Sequence, residues 1–167
     1  MLSRQLLVWR GSRLAARRGA GFVREGHPQR VRDLALALGR AAGLGAAELA
    51  ALEQAALLHD LGRCLLPPHA DEKLHPQVGA ELLLGQDLPP STLAAVRHHH
   101  ERWDGRGYPG GLRGEAIPPL ARVLAVANLA DHLAGFPPEV RAQRLAWERG
   151  LALDPQWVNL YLSVLGH

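Results

Sequence analysis

The chain has 167 residues, 47% of them hydrophobic and 21% charged. That is the length and composition of one globular domain with its own core, and it excludes a multidomain assembly within these residues. No stretch approaches the ~18 consecutive apolar residues of a membrane helix, so no transmembrane segment is expected. The single cysteine, Cys64, rules out an intramolecular disulfide, fits a reducing, cytoplasmic setting, and leaves any metal to histidine and carboxylate.

The net charge of +3 is unevenly spread. Residues 1–24 hold Arg4, Arg10, Arg13, Arg17, Arg18 and Arg24 and no acid, while acids outnumber bases in the remainder. Such a start reads as a transit peptide, a membrane-surface or nucleic-acid arm, or a plain basic helix or tail, and the last is the expectation. The net-acidic remainder lacks the concentrated Lys and Arg that phosphate backbones require, so DNA and RNA are not expected partners. The division expected is a basic segment over 1–22 and a domain over 23–167.

Helical periodicity runs through that domain. Val31, Leu34, Leu36, Leu38 and Ala41 predict a helix that stops at Gly43-Leu44-Gly45, and Leu49, Leu52, Ala56, Leu57 and Leu58 predict a second, from about Ala46 into His59. Pro67-Pro68 and Pro89-Pro90 break the chain on either side of a short helix, His75 to Leu84. Pro90-Ser91 offers an N-cap for a helix to about His99. Trp103 to Pro118 is dense in glycine and reads as a structured loop. Leu120 to Leu133, Pro138 to Gly150, and Asp154 to Leu165 with Asp154 as N-cap complete six or seven helices. No alternating strand pattern occurs, so the fold class is all-α.

Nine histidines raise the question of a metal. His59-Asp60 ends an apolar run, where a helix emerges from the core, and His98-His99-His100 ends another. Consecutive helical residues point about 100° apart, so adjacent ligands can serve two sides of one site or two ions ~3.5–4 Å apart. Each histidine also has an ordinary reading, as a cap at a helix C-terminus or a hydrogen-bonded core residue. His69, His132 and His167 are left with that reading.

The segment His99-His100-Glu101-Arg102-Trp103-Asp104-Gly105-Arg106-Gly107-Tyr108-Pro109-Gly110-Gly111-Leu112 resembles the HD-GYP family of bacterial phosphodiesterases, a branch of the HD-domain phosphohydrolases. The resemblance runs from His27, with Val31 behind it, through Leu58-His59-Asp60-Leu61-Gly62-Arg63, His75-Pro76 with Gly79, and Ile117-Pro118 to Ala121-Arg122-Val123-Leu124-Ala125-Val126-Ala127. It implies a helical HD-domain bundle with a glycine-rich GYP loop, and hydrolysis of cyclic di-GMP at a centre of one or two transition ions, Fe or Mn with Zn as a further candidate. It further implies Asp60 as the bridging ligand and catalytic group, Arg63 beside it, and His27, His59, His75, His99, His100 and the position of Asn128 as ligands. Arg106, Gly107, Tyr108 and Pro109 would face substrate, and a diguanylate cyclase domain could dock on that loop.

Four departures from the family pattern stand out. Asn128 replaces an aspartate, which removes one ligand charge and predicts a weakened metal site; Asp131, one turn on, could substitute only if the helix shifted. The stretch between Asp60 and His75 is short. Arg63 stands for a lysine, and the basic substrate segment after Asp131 is replaced by Gly135-Phe136-Pro137-Pro138, with Arg141 and Arg144 as candidate replacements. The alternative expectation is a catalytically inactive module that binds a cyclic dinucleotide or a partner protein.

Overall fold

Prolines and glycines set the helix ends. The computed structural model describes residues 25–165, so the basic segment over 1–22 and the terminal His167 lie outside the described residues. Seven α-helices follow in order: α1 (His27–Ala41), α2 (Ala46–Leu58), α3 (His75–Leu82), α4 (Pro90–His98), α5 (Pro119–His132), α6 (Pro138–Glu148) and α7 (Pro155–Val164). Short 3₁₀ turns lie at Leu61–Cys64, Glu72–Leu74 and Gly114–Ala116. All helices but α2 carry proline at the first or second position, where its missing N–H costs no helical bond. Among the described residues there is no strand beyond isolated bridges, and no helix is long and apolar enough to cross a membrane.

The expected elements are present, with ends moved by one or two residues. Ser91 is not an N-cap: α4 already begins at Pro90, and its capping position, Pro89, makes no side-chain bond. Asp154 does cap α7, accepting from Gln156 N at 2.8 Å. At the start of α2, Glu48 reaches back to accept from Gly45 N–H at 3.0 Å, and Gly43 takes φ +76° in the preceding turn, a conformation that costs glycine little.

The core is built where apolar stripes meet. Val31, Ala35 and Leu38 of α1, Ala51, Leu52 and Ala55 of α2, and Ala95 and Val96 of α4 are buried. They pack around α5, whose Leu120, Ala121, Val123, Leu124, Val126, Ala127 and Ala130 are all buried. A helix apolar on nearly every side belongs at the centre of a bundle. Helices α6 and α7 close it with Leu145, Val158 and Tyr161.

Two antiparallel helix pairs position the site. Helices α1 and α2, of 15 and 13 residues, are each about 20 Å long, so the start of α1 returns beside the end of α2. His27 opens α1 and His59 follows α2 directly. The shorter pair, α3 and α4, repeats the device: His75 opens α3 and His99 follows α4. The pairs are joined by the turn at Gly62, where an added Cβ would collide with the His75 carbonyl and lie 2.6 Å from Gly79 N. Only glycine lets the start of α3 dock there, and this docking brings His75 to Asp60.

Candidate metal centre

Four buried imidazoles are oriented by the same device. His59, His75 and His99 each place Nδ1 against a backbone carbonyl three residues back, Ala56 at 2.8 Å, Glu72 at 2.6 Å and Val96 at 2.7 Å. His27 places Nδ1 against the Asp131 carboxylate at 2.7 Å. With Nδ1–H committed to an acceptor, each ring has its lone pair on Nε2. The Nε2 atoms then meet in pairs, His27 with His59 at 3.2 Å and His75 with His99 at 3.3 Å. Two lone pairs at such a distance repel unless a cation lies between them. The separations suit two nitrogens of one ion at about 2.0–2.1 Å each.

Asp60 joins the two pairs. Its Oδ2 lies 3.9 and 3.7 Å from the Nε2 atoms of His27 and His59, and its Oδ1 lies 3.2 and 3.9 Å from those of His75 and His99. Two groups of donor atoms result, His27, His59, Asp60 and Asp60, His75, His99, His100, each with its members within 4.8 Å of one another. Asp60 Oδ1, His100 Nε2 and Asn128 Oδ1 are buried with no hydrogen-bond partner. Polar atoms left so in a core are costly, and those of Asp60 and His100 belong to one donor group. Of the ligand positions expected from the resemblance, His27, His59, Asp60, His75, His99 and His100 fall in these two groups, and Asn128 lines the adjoining cavity with His99 and His100.

The electrostatics match that role. Burial pushes Asp60 up, but the neighbouring His59, His75, Arg63 and His99 outweigh it and hold the carboxyl well below its usual range. Burial lowers His99 well below the ordinary value, with His100 and His59 adding to it, and takes His100 to about 3. Asp60 is thus held as the anion while His27, His99 and His100 are pushed toward the neutral form, the protonation states that metal binding requires.

A pH prediction follows for chelator-treated protein. A histidine depressed in the folded state binds more protons when unfolded, so stability rises with pH across that window. It is complete above the unfolded value of 6.5 and is lost as pH falls toward the folded one, about 3 for His100. His100 alone is expected to cost about 1.4 kcal/mol per pH unit below 6.5. Urea unfolding of chelator-treated protein at pH 7.5 and pH 5 checks this; equal midpoints would contradict it.

Around the ligands lie residues that hold them, of which Arg63 was expected from sequence and Glu101 was not. Asp131 falls in neither donor group: its carboxylate is spent on His27 Nδ1 and on Arg30, Nε at 2.5 Å and Nη2 at 3.2 Å. His132 is exposed, as its ordinary reading has it, yet its ring lies 5.1 Å from that of His27. Arg63 sits with Nε 2.9 Å from Asp60 Oδ1 and pairs with Glu72 through Nη1. Glu101 is buried and accepts from Gly110 N at 2.6 Å and Leu112 N at 3.0 Å, buckling the glycine-rich loop. Within that loop Gly107 lies so close to the backbone of His100 and Glu101 that a Cβ would fall 2.6 Å from each. Tyr108 consequently stacks on His100, with centroids 4.9 Å apart.

A cavity of about 420 Å³ opens on this face, and His99, His100 and Asn128 form part of its wall. Arg106 and Tyr108 line it, as do Lys73 and Arg102; Arg141 and Arg144, on α6, are not among the lining residues. The short Asp60-to-His75 connection is what carries Lys73, two residues before His75, to the rim.

The HD domain family model matches residues 24–133. The cyclic di-GMP phosphodiesterase response regulator RpfG of Xanthomonas campestris pv. campestris (strain 8004) is 40% identical over 143 residues, 72% of this chain and 38% of that protein. The 3'3'-cGAMP-specific phosphodiesterase 2 of Vibrio cholerae is 30% identical over 159 residues, 82% of this chain and 30% of that protein. The chain thus spans about a third of the length of these curated relatives. The HDG"Y"P protein Bd1817 from Bdellovibrio bacteriovorus superposes with a TM-score of 0.71 at 26% identity, over 84% of this chain and 52% of its own. The cyclic GMP-AMP specific phosphodiesterase V-cGAP3 of Vibrio cholerae shares the fold, with a TM-score of 0.73 at 17% identity over 83% and 43%. With the His-Asp ligand groups and the Gly-Tyr-Pro loop both in place, the chain belongs to the HD domain family, in its HD-GYP branch.

Proposed function

We propose that the chain is a metal-dependent phosphodiesterase domain that hydrolyses cyclic di-GMP in the cytoplasm, with one or two Fe, Mn or Zn ions held by His27, His59, Asp60, His75, His99, His100 and the amide oxygen of Asn128. The observation that carries this reading is the Asp60 carboxylate, which offers one oxygen to each of two histidine pairs. When bound, ions of this kind supply Lewis acidity, lowering the pKa of coordinated water and neutralising phosphate oxygens.

The chain's own residues set the geometry around that chemistry. Arg63 fixes Asp60, and Asp131 with Arg30 fixes His27, so the ligands are preorganised before metal arrives. Arg106 and Lys73, whose side chains make no ion pair among the described residues, put positive charge at the cavity for an anionic substrate. Tyr108, held on His100 by Gly107 and followed by Pro109, forms the wall that substrate meets. Binding of a diguanylate cyclase domain to this loop is a further reading, supported by the resemblance alone.

A second reading is favoured by Asn128: with one ligand carboxylate replaced by an amide, the domain would bind a cyclic dinucleotide without cleaving it. Incubation of the purified chain with cyclic di-GMP, with chelator and then with added Mn²⁺ or Fe²⁺, separates the two. Linear or mononucleotide product that disappears with chelator and returns with metal is expected. Binding without product under metal saturation would leave the non-catalytic module.

A further inference from the structure

The cavity beside the metal ligands contains an acid that a site for a phosphodiester has no use for. Two glutamates line it, Glu101 and Glu148. Glu101 is committed to Gly110 N, Leu112 N and His98. Glu148, half-buried at the end of α6, makes no side-chain hydrogen bond or ion pair among the described residues, although the Arg102 guanidinium feels its charge. Close to anionic substrate, an uncommitted carboxylate is repulsive unless a part of the ligand presents N–H donors to it.

Both Glu148 and Arg102 are held in place. The Glu148 carbonyl accepts from Leu151 N and Leu153 N, each at 3.0 Å. The same turn is tied to the start of the glycine-rich loop by Trp103 N on Ala152 O at 3.0 Å and Asp104 N on Leu151 O at 2.8 Å. Arg102 spends Nε and Nη2 on Asp104, at 3.1 and 2.7 Å. That leaves its Nη1 hydrogens for another acceptor.

We propose that Glu148 and Arg102 form a guanine-reading subsite at the wall of the cavity, Glu148 accepting from N1–H and the 2-amino group and Arg102 donating to O6. The assignment rests on the phosphodiesterase reading and adds which residues of this chain read the base. The guanine edge runs acceptor, donor, donor, and the pair offers donor, acceptor, acceptor. Adenine presents an amino donor where guanine has O6 and a bare acceptor at N1, so it opposes donor to donor and lone pair to carboxylate. A site built to hydrogen-bond one edge rejects the mismatched edge strongly, because its buried polar groups are left unpaired. Ala152 and Leu153 on the same wall give the base an apolar surface.

Equilibrium binding of cyclic di-GMP, 3'3'-cGAMP and cyclic di-AMP to the full chain and to Glu148→Gln tests this. The wild-type chain is expected to bind cyclic di-GMP about tenfold or more tightly than cyclic di-AMP, with 3'3'-cGAMP at or between them. Glu148→Gln should erase most of that ratio while leaving metal content and the unfolding midpoint unchanged, effects that loss of a structural contact would not produce together. Should Glu148→Gln fail to fold, Glu148→Asp, which keeps the charge but withdraws it by one methylene, carries the same comparison with a smaller loss. No guanine preference in the wild-type chain, or an undiminished preference in the variant, overturns the subsite while leaving the phosphodiesterase reading standing. A wild-type chain that binds none of the three dinucleotides overturns both.

Discussion

Asp60→Ala is expected to strip metal from both halves of the centre and to lower cyclic di-GMP hydrolysis on the order of 1,000-fold or more. Among the described residues no other side chain addresses both histidine pairs: Oδ2 faces His27 and His59, and Oδ1 faces His75 and His99. Without it each pair has two neutral nitrogens and no shared anion, too little charge to hold two cations close together. The truncation also frees Arg63 from its partner at 2.9 Å, which could loosen the turn at Gly62. Asp60→Asn keeps the shape and removes only the charge, so it should show the same metal loss with an unfolding curve closer to wild type. Elemental analysis of both proteins beside the wild type checks this, and metal retained in both would remove Asp60 from the bridging role.

Asn128→Asp should act in the opposite direction, raising occupancy of the second ion and the rate of hydrolysis about tenfold or more. Asn128 is 6% exposed and its Oδ1 has no hydrogen-bond partner, so a carboxylate placed there has no role except at the ions. The same substitution puts an anion at a buried position with no hydrogen-bond partner, which in chelator-treated protein is expected to destabilise the fold, by about 1–3 kcal/mol. Metal should reverse that loss. A variant that is less stable without metal, more stable with it and faster in turnover would locate the defect at Asn128. Unchanged metal affinity and rate would instead show that the amide already serves as well as a carboxylate. Asp131→Ala, by contrast, should lower affinity about 10- to 100-fold by releasing the His27 ring.

The helices were legible because their apolar residues recur at three- and four-residue spacing and because proline and glycine punctuate them. Val31 and Leu38 on one face, or Pro155 after Asp154, carry their structural meaning locally. The candidate ligands were legible as a set for a different reason: His59-Asp60 and His99-His100 stand at the ends of apolar runs, and the resemblance carried by the segment around Gly107-Tyr108-Pro109 turned them, with His27 and His75, toward a metal site. What supports those ligands was not legible. The Asp131 carboxylate meets His27 across 104 residues, and His132 comes to lie beside the same ring. Periodicity says which face of α5 is buried but not which helix end it meets. The same limit applied to the cavity lining. Arg141 and Arg144 attract attention as basic residues where a basic segment is missing, whereas Lys73, Arg102 and Glu148 reach the cavity because separate turns converge on it.

The dinuclear plan is tested most directly by the isotherm for Mn²⁺ binding to chelator-treated protein, read by elemental analysis after equilibrium dialysis. The arrangement of four imidazoles around one carboxylate predicts two ions per chain, one held tightly and one weakly, with both lost in Asp60→Ala. A wild-type chain that takes up no ion at saturating Mn²⁺, or an isotherm that Asp60→Ala leaves unchanged, would contradict it.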